Sequence, residues 1–170
     1  MNGWAGRMNS NSTASPQKRG LVAIIGAAAA AALYMLTPAM EGTVYKTYRD
    51  PANVLTYCTG ATENAAWGKT YTPAECQAQL DRDLARHAEG ISKCVKLESM
   101  TIGQRVAFVD FAYNVGVGAF CGSTVARKAN VGDLVGACNA LMMWDKAGGK
   151  VLPGLVKRRT IEREYCLGAR

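Results

Sequence analysis

Residues 20–40 form a run of twenty-one residues without a charged side chain, and no other feature constrains the chain as strongly. The run reads GLVAIIGAAAAAALYMLTPAM, and the polar, basic stretch before it ends in Lys18 and Arg19. As a helix rising about 1.5 Å per residue, the run would span roughly 31 Å, which matches a hydrocarbon core of about 30 Å. The sequence therefore predicts a membrane-targeting segment whose positive flank stays in the cytoplasm.

Two interpretations of this run are open. A cleavable signal peptide has an apolar stretch of about 7 to 15 residues and a small-residue cleavage site, which Ala27–Ala32 would supply. An uncut signal anchor is favoured, because the chain is apolar again at 33–36. A buried core helix is disfavoured because the run shows no polar face. We thus expect a basic tail over residues 1–19, a transmembrane signal anchor over 20–40 and one folded domain over 41–170.

The six cysteines all lie after the apolar run, at Cys58, Cys76, Cys94, Cys121, Cys138 and Cys166. Zinc sites need closely spaced Cys and His ligands, yet the chain has no Cys-x-x-Cys pair and His87 is its only histidine. We therefore expect no metal and no cofactor. The even number of cysteines instead predicts an oxidising compartment and three disulfides.

The chain is basic, with 20 Lys and Arg against 13 Asp and Glu, a net charge of +7. Such a charge favours polyanionic partners, a class that includes nucleic acid, anionic lipid and bacterial cell-wall polymers. The basic residues are scattered along the chain and are not gathered on one helix or interleaved with aromatic residues. Nucleic acid is therefore not expected as a partner.

Local patterns after residue 40 predict an α+β fold with a small β-rich lobe followed by a larger helical lobe. Residues 41–68 are rich in Thr, Tyr and Val and are broken by turn residues, which is typical of short strands. Capping boxes at Thr72–Glu75 and Thr101–Gln104 predict a helix over 73–89 and a central buried helix that ends at Gly116. Further helices are predicted over 123–130, 133–146 and 154–167.

Three residues form a candidate catalytic set. Cleavage of a glycosidic bond needs a proton donor and a second oxygen group that positions water or stabilises the transition state. Glu41 stands where the apolar run ends, Asp50 follows after eight intervening residues, and Thr56 after five more. The spacing by itself does not separate a catalytic pair from solvated surface charges.

The wider pattern resembles the phage lysozymes of glycoside hydrolase family 24, whose signature is Glu, eight residues, Asp or Cys, five residues and Thr. Glu41-Gly42, Tyr45, Tyr48, Asp50-Pro51 and Thr56 carry this resemblance. It continues through later segments in the family's order, so that it spans about residues 41–168: Tyr71–Cys76, Phe111–Cys121, Ser123-Thr124, Gly154–Arg159 and Glu162–Glu164. One departure is the Gly-Tyr-Gly-His that usually follows the threonine, which is Tyr57–Ala61 here.

The resemblance implies a lysozyme-like fold and a monomeric muramidase that cuts peptidoglycan between N-acetylmuramic acid and N-acetylglucosamine during host lysis. It assigns Glu41 as the general acid, Asp50 as the carboxylate that orients or activates water, and Thr56 as the hydroxyl that holds this water. An inverting outcome is implied. The alternative is a peptidoglycan-binding protein of lysozyme fold that does not cut. Resemblance and locality together favour three disulfides, Cys58–Cys76, Cys94–Cys121 and Cys138–Cys166.

The apolar run also resembles the anchor of signal-anchor-release endolysins. Its eight strongly apolar residues sum to only about −2 to −5 kcal/mol for insertion, so that escape from the membrane is physically possible. We expect an enzyme that is held in the inner membrane, with its N-terminus cytoplasmic, and then released to the periplasm. Because Glu41 directly follows Met40, insertion would hold Glu41 at the membrane surface, away from Asp50 and Thr56.

Other conspicuous residues are predicted to be structural. His87 lacks a metal-ligand partner, and Met142–Trp144 fits core packing. Lys157–Arg159, Glu162 and Glu164 are typical of a solvated helix face. The alternative kept open is that one of these arginines touches the cleft or the anionic cell wall.

Overall fold

The computed structural model describes residues 19–170, so the predicted basic tail lies, apart from Arg19, outside the described residues. The elements, in chain order, are α1 (Leu21–Ile25), α2 (Ala27–Glu41), β1 (Val44–Arg49), β2 (Leu55–Cys58), α3 (Pro73–Ile91), α4 (Ile102–Val115), α5 (Val117–Cys121), α6 (Thr124–Asn130), α7 (Leu134–Ala140), β3 (Lys146–Ala147), β4 (Lys150–Val151) and α8 (Pro153–Cys166). Single 3-10 turns cover Leu97–Ser99 and Leu141–Trp144. The predicted α+β fold with a helical majority is confirmed.

The small lobe is built on an antiparallel hairpin of β1 and β2. Tyr48 lies opposite Thr56 and Arg49 opposite Leu55, with an irregularity in register between Val44 and Tyr48. A separate apolar cluster closes this lobe, and in it the rings of Tyr57 and Tyr71 stack with their centroids 4.2 Å apart. The lobe therefore has its own small core beside that of the helices.

The capping boxes place the long helices as predicted. The side chain of Thr72 accepts a hydrogen bond from the backbone of Glu75, and Thr101 does the same for Gln104. The helix predicted over 133–146 is broken into α7 and a 3-10 turn. The Gly148-Gly149 turn lies in the β3–β4 hairpin, where both glycines have positive φ. Helix α5 was not predicted, because its five residues are too few to show a period.

The apolar run folds into the helical lobe as α1 and α2, with a break at Gly26. Gly26 has φ +85°, a conformation that residues with a Cβ rarely adopt. Arg105 of α4 caps the C-terminal end of α1, since its Nη1 donates a hydrogen bond of 3.1 Å to the carbonyl of Ile25. The break lets two short helices wrap around the core where the sequence predicted one continuous span.

One side of this run lies in the main core. Leu21, Ile25 and Leu33 are buried in the cluster that also contains residues of α3, α4 and α8. On the other side Met35 is 77% exposed. The prediction that the run is not a core helix is therefore wrong for the folded chain. Within residues 19–170, no helix combines the length and the apolar character that crossing a membrane requires.

Helix α4 is the centre of the molecule. It contacts α2, α3 and α8, and its residues from Val106 to Ala112 are all buried. The ring of Phe111 packs against Trp144 at 5.3 Å, so that Trp144 belongs to the core as predicted, whereas Met143 is exposed. This central position allows α4 to present side chains to both the apolar run and α8.

Three disulfides join the six cysteines in the structure. The pairs are Cys58–Cys76, Cys94–Cys121 and Cys138–Cys166, with Cα atoms 5.1, 5.8 and 5.5 Å apart. These are the pairs that resemblance and locality favour. The first staples β2 to α3, the second joins the segment after α3 to α5, and the third joins α7 to α8.

Reduction is expected to destabilise the protein strongly. The closed loops span 18, 27 and 28 positions, and each contributes about 3 kcal/mol in the chain-entropy model. Alkylation of folded protein without reductant should label no thiol, and reduction should lower the free energy of unfolding by several kcal/mol. Two or more labelled thiols in active, unreduced protein would contradict this pairing.

Candidate active site

Glu41 is the last residue of α2 and stands at the junction between the two lobes. Gly42 ends the helix, with φ +76° and its N–H bound to the carbonyl of Pro38 at 2.8 Å. The Glu41 side chain is 27% exposed, so it is accessible while still in contact with buried groups. Its Oε1 accepts a hydrogen bond from Nη1 of Arg158 in α8.

Arg158 is buried and surrounded by carboxylates. Besides Glu41, its Nη2 contacts Oδ2 of Asp110 at 3.1 Å and its Nε contacts Oε1 of Glu162 at 3.1 Å. Arg159 is also buried, and its Nη1 donates to Oε2 of Glu162 at 2.6 Å. The predicted solvated helix face is therefore wrong for Arg158, Arg159 and Glu162, although Lys157 is exposed. The alternative that one arginine reaches the site holds for Arg158.

Burial is the largest single influence on the pKa values of Arg158 and Glu162. Burial raises the pKa of Glu162 to about 8, while the neighbouring Arg159 acts to lower it. Burial also acts to lower the pKa of Arg158, but Asp110 and then Glu41 raise it by more, so that this guanidinium stays charged. The positive charge beside Glu41 is thus permanent, and Asp110 and Glu162 also contact the same guanidinium.

Two residues connected to Arg158 were missed by the sequence reasoning, namely Asp110 and Thr37. Asp110 is fully buried in α4, and its Oδ1 accepts a hydrogen bond of 2.8 Å from the hydroxyl of Thr37 in α2. A carboxylate inside an otherwise apolar helix was the available signal, because a buried charge needs a partner. That signal could not name the partners, which lie far away in sequence.

Asp50 and Thr56 lie together on the β1–β2 hairpin. Asp50 follows β1 directly, and its Oδ1 accepts a hydrogen bond of 2.8 Å from the N–H of Val54. Asn53, with φ +64°, makes the tight turn, and Arg49 donates to its carbonyl at 2.8 Å. Thr56 is buried on β2 and donates to the carbonyl of Val54 at 3.1 Å. The turn thus holds Asp50 in place while its side chain stays partly exposed.

The catalytic candidates belong to two separate groups of side chains. Within the described residues, no hydrogen bond joins Glu41 to Asp50 or Thr56. Glu41 is held by the helical lobe through Arg158, and the other two are held by their own hairpin. Glycosidases place their two carboxyl groups on opposite sides of the scissile bond.

Tyr113 connects the two lobes near Glu41. Its hydroxyl donates a hydrogen bond of 2.6 Å to the carbonyl of Thr59 in the small lobe. Burial raises the pKa of this phenol, and the charges of Asp83 and Glu41 act in the same direction. Tyr113 therefore stays protonated and remains a donor across the junction.

His87 takes a structural place next to Tyr113. Its Nδ1 lies 2.7 Å from the carbonyl of Asp83, and its ring centroid lies 5.1 Å from that of Tyr113. Together with Gly60 and Ala61, where the sequence departs from the family pattern, these rings line a cavity of about 210 Å³. In the described part of the chain, no three His, Cys, Asp or Glu side chains come together as a metal site.

Acid is expected to destabilise the fold through His87. Burial lowers the pKa of His87 from 6.5, so the folded protein resists the protonation that the unfolded chain accepts. The resulting stability is present above about pH 6.5 and is lost as the pH falls through the folded pKa. The single imidazole can be titrated by NMR, and His87→Gln should lose less stability than wild type on acidification. A folded pKa at or above 6.5 would contradict this.

A glutamate at the junction of two lobes, with an Asp–Thr pair on the hairpin that follows it in an α+β fold, is the arrangement that the resemblance to glycosidases of lysozyme type predicts. Comparison with known proteins agrees with this class. Residues 38–162 match the family model described as phage lysozyme. A SAR-endolysin of Bacteriophage PS119 is 44% identical over 153 residues, covering 86% of this chain and 91% of that protein.

Solved structures give the same result. The muramidase domain of SpmX from Asticaccaulis excentricus superposes with a TM-score of 0.74 at 29% identity, covering 80% of this chain and 95% of that one. The active form of the P1 phage endolysin superposes with a TM-score of 0.72 at 25% identity, covering 79% and 82%. The chain belongs to the phage lysozyme family. It is an endolysin, a glycoside hydrolase with muramidase activity.

Proposed function

We propose that the enzyme hydrolyses the β-1,4 bond between N-acetylmuramic acid and N-acetylglucosamine in peptidoglycan, with Glu41 protonating the leaving oxygen. The carrying observation is the contact between Glu41 and the buried Arg158, which fixes the carboxyl at the lobe junction. An arginine alone would favour the ionised glutamate. Here Arg158 also contacts Asp110 and Glu162, so that Glu41 is one of three acidic side chains around a single guanidinium.

Asp50 and Thr56 are proposed to handle the water. Asp50 would orient or activate it, and the Thr56 hydroxyl would hold it in line with the bond. Support comes from the hairpin, which places both residues at the same end of the β1–β2 ladder. An inverting reaction needs room for this water, with the carboxyl groups about 6.5 to 9.5 Å apart.

Product analysis tests this assignment. Purified peptidoglycan is digested, the products are reduced with borohydride, and the sugar at each new reducing end is identified. A muramidase leaves N-acetylmuramic acid there, so muramitol derivatives are expected, and NMR of the first product should give the inverted anomer. N-acetylglucosaminitol ends, or products without a reducing end, would overturn the proposed bond and the hydrolytic mechanism respectively.

We infer that the run over 20–40 is a signal anchor that is released into the periplasm without cleavage. The relative from Bacteriophage PS119 is named a SAR-endolysin, and the run is uncharged but only weakly apolar. The fold supports this inference because it offers the run a place outside the membrane, where Leu21, Ile25 and Leu33 are buried. Since α2 ends at Glu41, the catalytic acid would reach the lobe junction only after release.

Stronger anchoring is expected to delay lysis. Ala28 and Ala31 lie on the exposed side of α2, so Ala28→Leu with Ala31→Leu raises the insertion energy with little effect on core packing. More protein should stay in the membrane fraction, and lysis should be later than with the matched Ala28→Ser, Ala31→Ser control. Full-length soluble wild type should appear after depolarisation. A periplasmic enzyme whose N-terminus begins within 27–32 would instead identify an ordinary signal peptide.

A further inference from the structure

We propose that Asp110 is a positioning residue for catalysis, which fixes Arg158 against Glu41 and is itself held by Thr37 of the apolar run. This role rests on the proposed function of Glu41 as the general acid. It goes further, because it assigns to the run a contact with the catalytic machinery beyond the placement of Glu41 at its end.

Apolar packing does not explain why a carboxylate lies at position 110. Its side chain is fully buried, and its neighbours Phe108, Val109, Phe111 and Ala112 are apolar and equally buried. A carboxylate in such surroundings is unfavourable unless it is paired and hydrogen-bonded. Its contacts with Thr37 and Arg158 must therefore offset this cost. Thr37 belongs to the helix that ends at Glu41, and Arg158 contacts Glu41 directly.

The two carboxylate oxygens of Asp110 contact different elements. Oδ1 accepts from the hydroxyl of Thr37 in α2 at 2.8 Å, and Oδ2 accepts from Nη2 of Arg158 in α8 at 3.1 Å. The backbone carbonyl of Asp110 also accepts from this Nη2, at 3.3 Å. Asp110 thus joins α2, α4 and α8 at one buried point.

The shape of the guanidinium converts these contacts into an orientation for Glu41. Nε of Arg158 contacts Glu162, Nη2 contacts Asp110, and Nη1 is left to contact Glu41. Because the guanidinium is a rigid planar fork, fixing two of its nitrogens fixes the third. Loss of the Asp110 carboxylate would leave Nη2 with only the longer contact of 3.3 Å to the backbone carbonyl, and the orientation of Nη1 would be held less firmly.

The negative charge of Asp110 also acts on Glu41 and Arg158. The groups that face Glu41 and Arg158 are Asp110 and Tyr113 from α4, with Arg159 and Glu162 from α8. Removal of one negative charge leaves the arginine charge less balanced, which favours the ionised form of Glu41. A general acid that loses its proton more easily ceases to act at a lower pH.

Thr37 makes the arrangement dependent on the apolar run. Its hydroxyl is buried, and the hydrogen bond to Asp110 exists only when α2 is packed on α4. With the run elsewhere, Asp110 would lose its hydrogen bond to Thr37. The run therefore contributes to the orientation of Arg158 from a position four residues before Glu41.

The test measures activity on peptidoglycan against pH for the full-length folded enzyme. Asp110→Asn keeps the shape and removes the charge, so the alkaline limb should move to lower pH by about half a unit to one unit. Activity above neutrality should then fall up to about tenfold. Thr37→Val should lower kcat severalfold with KM unchanged, since Thr37 is fully buried away from any bound substrate, and Thr37→Ser should restore kcat.

The control is Thr160→Val, which removes a hydroxyl that bonds only within α8, to the carbonyl of Val156. It should leave the pH profile and kcat unchanged. A profile for Asp110→Asn that superposes on wild type, at whatever cost in stability, overturns the proposal. If Asp110→Asn does not fold, the two Thr37 variants provide the test, and a wild-type kcat in Thr37→Val overturns the proposal. Activity in Glu41→Gln would refute the proposed function instead, so that the two failures are distinguishable.

Discussion

Replacing Glu41 with glutamine is expected to lower the rate of glycan cleavage by at least about a hundredfold, the lower end for loss of a general acid. Glutamine has nearly the same shape, and its carbonyl oxygen can still accept from Arg158, so the fold should be retained. What is lost is the transferable proton. The rate of appearance of reducing ends on purified peptidoglycan measures this effect directly.

The matched control is Glu164→Gln, the same chemical change at a partly exposed glutamate that pairs with Arg170. Its activity should stay within a factor of about three, because surface ion pairs contribute little to stability. Glu41→Gln should still bind peptidoglycan in a pull-down, which separates lost chemistry from lost binding. Cleavage by Glu41→Gln within about threefold of wild type would remove Glu41 from the mechanism.

Replacing Leu33 with alanine is expected to lower the free energy of unfolding of the released enzyme by about 2 to 5 kcal/mol. Leu33 is fully buried in the core of the helical lobe, so that truncation leaves a cavity that its neighbours fill only in part. Denaturant unfolding of the soluble protein gives the value. The effect tests whether the apolar run is a structural part of the folded enzyme.

Met35→Ala is the matched control on the same helix. Met35 is 77% exposed, and its truncation should change the free energy of unfolding by about 0.5 kcal/mol or less. Both substitutions remove apolar surface from the run, so both weaken membrane insertion, and only the packing separates them. Equal stability of the two variants would show that the run lies outside the core of the released protein.

Features with local causes could be predicted from the sequence. The capping boxes at Thr72 and Thr101 bring their partners within three positions, and helices α3 and α4 begin where those residues predict. The catalytic candidates Glu41, Asp50 and Thr56 also lie close together in the sequence, and Asp50 and Thr56 belong to one hairpin. For these elements, residues close in the sequence supply the deciding hydrogen bonds.

The apolar run shows where sequence reasoning failed and why. A run without charge satisfies the requirements of a bilayer and also those of a protein core. The sequence reasoning disfavoured the core because the run has no polar face. The fold buries Leu33 but leaves several alanines and Met35 exposed to solvent. Small or isolated apolar side chains are commonly exposed on protein surfaces. The lack of a polar face therefore did not discriminate between the two environments.

The sequence by itself determined the family, the α+β class, the main helices and the three residues proposed for catalysis. Only the tertiary structure decided that Arg158 holds Glu41, that Asp110 is buried beside it, and that the apolar run completes the core. These contacts join residues 117, 48 and 73 positions apart, between Glu41 and Arg158, Asp110 and Arg158, and Thr37 and Asp110. No periodicity encodes such pairs, because a buried charge finds its partners only when the chain is folded.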